Sequence, residues 1–127
     1  MLLLDSQTAL WTLDGNPRLG AAARQSISTT AEVYVSAASV WELTIKSMLG
    51  KLSIPAAFTE LLTAQGLSVL DVTGEHAEGL REFPELAKHD PFDRLIVSQA
   101  NYEGLQLLTA DHVLLDLNRD FITDSRR

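Results

Sequence analysis

Apolar and polar positions alternate between two periods along the chain. Leu2, Leu3 and Leu4 form an aliphatic run stopped by Asp5, and "SQTALWTL" behind it has helical character. "DGNPRLG" supplies turn residues, and "PRLGAAARQSIST" predicts a second helix with Pro17 at its first position. "EVYVS" alternates like a strand. Beyond it, Trp41, Ile45, Met48 and Leu52 recur at helical spacing, so this apolar stripe is expected to be the buried face of a helix. Glu42 stands beside the stripe. "PAAFTELLTAQG" predicts a helix closed by glycine, "LSVLDV" a short strand and "TGEHAEGLREF" a further helical piece. "DPFDRLIVSQANYEG" is a helix ending at Gly104, "LQLLTAD" repeats the opening aliphatic run capped by an aspartate, and Phe121 to Thr123 predict a last edge strand. Strands alternating with helices, without a polar linker, predict a single α/β domain over residues 1–127 with a mainly parallel sheet.

That sheet changes the meaning of the acidic residues. In open parallel sheets ligands gather beyond the carboxyl ends of the strands, where loops converge and helix N-termini point. Asp5 and Asp111 fall on that edge, Glu42 lies within two turns of a helix start, and Asp93 is in the first turn of its own helix. Each has an ordinary explanation taken singly: Asp90 as an N-cap before Pro91, Glu42 paired with Lys46, Asp5 and Asp111 ending strands. Together they are harder to explain. Carboxylates about 5 Å apart repel by roughly 3 kcal/mol at an effective dielectric of 20, so such a cluster requires shared protons or a cation.

Composition narrows the cation. The chain has no cysteine and no HxH or HExxH pairing, which leaves hard ions that take carboxylate oxygens, magnesium or manganese. A site of that kind activates water against a phosphodiester without a side-chain nucleophile. Seventeen acidic residues against ten basic ones give a net charge of −7, which opposes loose binding to nucleic-acid phosphates unless bound cations reverse the sign locally. Lys46, Lys51, Lys88 and Arg94 are the candidates to border the cleft. No apolar run is long enough for a bilayer, and "MLLLD" reads as a strand and not a leader, so a cytoplasmic protein is expected. His89 and the unpaired His76 and His112 read as exposed loop residues. Arg94 reads as a salt-bridge partner of Asp90, and Trp11 as core or dimer surface.

"LLLDSQTALW", "VYVSAASVWELTIKSMLGKL", "HDPFDRLIVSQA" and "LQLLTAD" together resemble the PIN-domain ribonucleases, and among them the VapC toxins of toxin–antitoxin pairs. The resemblance implies a three-layer α/β/α fold and a Mg2+- or Mn2+-dependent endoribonuclease acting on RNA of the tRNA or rRNA class. It also implies a VapB-type antitoxin partner, and a homodimer that becomes a heterotetramer or larger with that antitoxin. The family's acids fall on Asp5 (with Ser6), Glu42, Asp93 (seven residues before Ala100) and Asp111 (with Thr109). A fifth acid common in relatives is replaced here by the stretch His112 to Leu114, with Asp116 the next carboxylate. Two other classes fit the acidic pocket: a receiver-like signalling domain and a PIN-fold binding module without turnover.

Overall fold

The computed structural model describes all of residues 1–127. β1 (Leu2–Leu4), β2 (Val33–Ser36), β3 (Ser68–Leu70), β4 (Gln106–Thr109) and β5 (Ile122–Asp124) form one five-stranded sheet in the order β3-β2-β1-β4-β5. Every pairing is parallel. The order overturns the receiver-like alternative, whose doubly wound sheet runs 2-1-3-4-5. It also places the point where the winding reverses between β1 and β4.

Side chains of β1 point alternately to the two faces, and the core divides accordingly. Leu2 and Leu4 join Val33 and Val35 under α1 (Ser6–Asp14), α2 (Ala21–Thr29), α3 (Ala37–Met48) and α4 (Phe58–Ala64), represented by Ala9, Trp11, Ala23, Leu43, Phe58 and Leu62. Leu3 and Leu107 pack on the other face against Phe83, Leu86, Ile96, Val97, Ala100 and Leu114. The elements of this second layer are α5 (Gly74–Glu78), two 3-10 turns, α6 (Pro91–Glu103) and α7 (His112–Leu115). Crossovers on opposite faces to either side of β1 are what right-handed connections demand of this strand order. The result is the expected three-layer α/β/α arrangement, with Trp11 in its core.

Three expectations need correction. The stripe of Trp41, Ile45 and Met48 faces outward: Trp41 is 64% and Met48 83% exposed. α3 instead turns Ala38, Ser39, Glu42 and Leu43 inward, because its close approach to the sheet and neighbouring helices favours small residues. The second helix starts at Ala21 and not at Pro17, with Gly20 as its cap. A Cβ on Gly20 would lie 1.9 Å from the main chain of Arg127, so the last residues of the chain occupy the space beside it. Gly20 and Ala22 N–H donate to the Ser125 and Arg127 carbonyls at 2.9 and 2.8 Å. Finally, His76 is buried, not exposed: Nδ1 accepts from the Thr73 N–H at 3.0 Å, which leaves Nε2–H to meet Glu103 at 2.7 Å.

Candidate active site

Asp5 ends β1 and caps α1, accepting from the Thr8 N–H at 2.8 Å. Its other oxygen accepts from the Thr109 hydroxyl at 2.5 Å, a bond that spans the winding reversal between β1 and β4. Thr109 in turn accepts from the Asp111 N–H at 3.0 Å. Asp111 caps α7 through Val113 N–H at 2.8 Å, which fixes its carboxylate above the same edge. Two aspartates far apart in sequence therefore share one threonine. Burial is the main influence on Asp5 and raises its carboxyl above the ordinary range against the hydrogen bonds from Thr109 and Thr8.

Glu42 enters from the second turn of α3. Oε1 accepts from the Ser6 hydroxyl at 2.5 Å, and Oε2 lies 3.2 Å from Lys46 Nζ. Ser6 is the residue after Asp5, so this bond ties the Glu42 carboxylate to the start of α1. Asp93 sits in the first turn of α6, whose cap is Asp90: Oδ1 of Asp90 accepts from the N–H groups of Phe92 and Asp93 at 2.9 and 3.2 Å. The capping role expected of Asp90 is thus the observed one.

The structure brings the charges of Asp5, Glu42 and Asp111 to bear on Asp93, whose carboxyl registers the crowding. Its carboxyl is pushed up to about 8, first by burial and then by the charges of Asp111, Asp90, Asp5 and Glu42. Lys46 pairs with Glu42 from an exposed position. Lys51 and Lys88 are exposed.

The structure departs from expectation at His89 and Arg94. His89 is half-buried, not an open loop residue, and its Nε2 lies 3.2 Å from Asp93 Oδ2 and 3.7 Å from Asp111 Oδ2. One donor atom each from His89, Asp93 and Asp111 lies within 4.8 Å of the other two. The i, i+4 spacing of His89 and Asp93 is the available signal, obscured because the helix begins between them. Arg94 donates to the Ala87 carbonyl at 2.9 Å instead of pairing with Asp90, so it braces the turn that carries His89. His112 is exposed, and Asp116 lies at the far end of α7, also exposed.

The donor set suits a hard divalent ion: carboxylate oxygens on rigid strand ends and helix starts, plus one imidazole, without thiolate.

Comparison with known proteins identifies the family. The sequence model of the PIN domain matches residues 2–119. Ribonuclease VapC22 of Mycobacterium tuberculosis is 32% identical over 115 residues, covering 89% of this chain and 88% of that protein. A toxin–antitoxin complex from Klebsiella pneumoniae superposes with a TM-score of 0.70 at 12% identity, over 98% of both chains. VapBC2 from Rickettsia felis, bound to a DNA fragment from its promoter, gives 0.69 at 15% identity, again over 98% of both chains. DNA-bound VapBC from Salmonella typhimurium gives 0.64 at 23%, with the same coverage. With the family's sequence pattern running through nearly its whole length and the matching fold beneath it, this chain belongs to the PIN domain family.

Proposed function

We propose that this protein is a VapC-type endoribonuclease toxin, dependent on Mg2+ or Mn2+, in which Asp5, Glu42, Asp93 and Asp111 hold the ion. One observation carries the proposal: a carboxylate oxygen each of Asp93 and Asp111 and a His89 nitrogen lie within 4.8 Å of one another, with the charges of Asp5 and Glu42 also bearing on Asp93, a charge excess that a divalent cation relieves. When bound, the ion supplies an activated water and neutralises charge on the phosphoryl oxygens. Asp5 and Asp111, locked by Thr109 and by their own helix caps, form the rigid floor of the cleft. Glu42 and Asp93 approach from two different helices and set its width. Substrate is RNA of the tRNA or rRNA class, whose phosphates approach an acidic protein only where that charge is reversed, and the place of action is the cytoplasm.

A VapB-type antitoxin as partner is supported by the relatives solved as toxin–antitoxin complexes. The acidic cleft suits an arginine-bearing segment, which would compete with metal or RNA there. Homodimerisation, and a heterotetramer or larger with antitoxin, are supported by the outward stripe of Trp41, Ile45, Met48 and Leu49, an apolar surface of the kind partners cover.

The test is cleavage of a structured RNA with Mn2+, then with EDTA, beside Asp5→Asn and Asp93→Asn variants. Fragments are expected only from the native protein with metal. Binding without fragments would indicate a PIN-fold binding module, and fragments from either folded variant would refute the site assignment.

A further inference from the structure

We propose that His89 is a direct nitrogen ligand of the ion in this cleft and biases the site toward manganese over magnesium; the inference rests on the metal site proposed above. The carboxylates contribute oxygen alone. His89 is the one imidazole whose ring nitrogen lies within hydrogen-bonding distance of a cleft carboxylate, 3.2 Å from Asp93 and 3.7 Å from Asp111. Its Nε2 and one oxygen of each aspartate already sit within 4.8 Å of one another, a separation compatible with three donors sharing one cation.

The backbone holds the ring there. His89 N–H donates to the Leu86 carbonyl at 2.9 Å, and Leu86 is fully buried in the second core. Arg94 Nη1 holds the Ala87 carbonyl at 2.9 Å, and the Arg94 N–H holds the Asp90 carbonyl at 3.1 Å. Pro91 then restricts the backbone at the helix start. The turn carrying His89 is thus fixed from both sides, by a core leucine and by α6, and the ring is presented to the cleft instead of to solvent.

Chemistry sets the consequence. Magnesium prefers oxygen donors and retains water; manganese also sits among carboxylates but, as the first member of the divalent transition series whose later ions favour imidazole, it accepts a nitrogen donor more readily than magnesium does. Loss even of an outer-shell partner commonly costs about 10- to 100-fold in metal affinity. Removing a ligand should therefore weaken Mn2+ by at least about tenfold and Mg2+ by less.

The test uses Mn2+ as the probe, added at one equivalent to the full-length protein and read by pulsed electron paramagnetic resonance. The expected result is 14N modulation in the native protein and in His112→Gln, replaced by a 15N pattern after 15N-histidine labelling and absent in His89→Gln. Isothermal titration of Mn2+ and Mg2+ into native and His89→Gln protein should show the Mn2+ preference fall. Bound Mn2+ without nitrogen modulation in the native protein, or modulation that survives in His89→Gln, overturns the inference and leaves the carboxylate site standing. No Mn2+ binding by the native protein overturns both together. A native protein without nitrogen modulation overturns the inference whether or not the variant folds, and modulation that survives in a folded His89→Gln does the same.

Discussion

Replacing Asp93 by asparagine should make the metal-free protein more stable, although it removes a carboxylate from the favourable end of a helix. An acid in the first turn gains about 0.3 to 1 kcal/mol from the helix dipole. Against this, Asp93 is taken out of water, and its oxygens lie within 4.8 Å of those of Asp111, close enough for the two charges to repel. Moving the carboxyl from its ordinary 3.8 to about 8 corresponds to a cost on the order of 5 kcal/mol once the group ionises, with burial the largest contributor and the charges of Asp111, Asp90, Asp5 and Glu42 behind it. Repulsion and burial win. Between pH 4 and 8 the unfolded chain has released this proton while the native state retains it, so rising pH favours unfolding across that window. Above about 8 both states are ionised and the loss is complete. Thermal unfolding in EDTA from pH 5 to 9 should show the native protein's melting temperature falling and that of Asp93→Asn changing much less. At pH 8 the variant should be on the order of 3 kcal/mol more stable, roughly 10 °C for a chain of this size. Added Mn2+ should reverse the order by stabilising the native protein alone. A variant no more stable than the native protein at pH 8 in EDTA would refute this electrostatic account.

Other perturbations probe the supports. Thr109→Val removes the donor to Asp5 and the acceptor for Asp111 N–H, so urea denaturation at pH 7 should show a loss of about 1 to 3 kcal/mol, with Thr109→Ser close to native. Leu43→Ala, on the buried face of α3, should cost about 2 to 5 kcal/mol in the same unfolding curve. Gly20→Ala places a methyl against the Arg127 main chain and should destabilise by about 1 to 3 kcal/mol, with hydrogen exchange accelerated at Ser125 and Arg127.

The strand–aspartate units are legible in the sequence because both signals are local: an aliphatic run buried on two faces, then a side chain that caps the next helix. Those units, with the helix starts before Glu42 and Asp93, are enough to anticipate a parallel sheet and a shared acidic edge. The outward stripe on α3 misleads because periodicity reports that one face is apolar and is silent on which neighbour it meets. Alanines and serines facing the sheet carry no hydrophobic period, yet they are what close approach requires. The start of α2 depends on residues about a hundred positions later, since the chain's last segment fills the space beside Gly20. His89 escapes a sequence reading for a related reason: a proline and a cap separate it from Asp93, and only the path of the turn reveals that both side chains face one way.

The bond between Asp5 and Thr109 closes a loop of 104 residues. A chain still lacking β4 has neither the hydroxyl that steadies Asp5 nor the carboxylate of Asp111, so the acidic cluster does not exist until β4 joins the sheet. The acidic edge is therefore completed in one step, by the docking of β4 against β1, and no partly assembled sheet carries it.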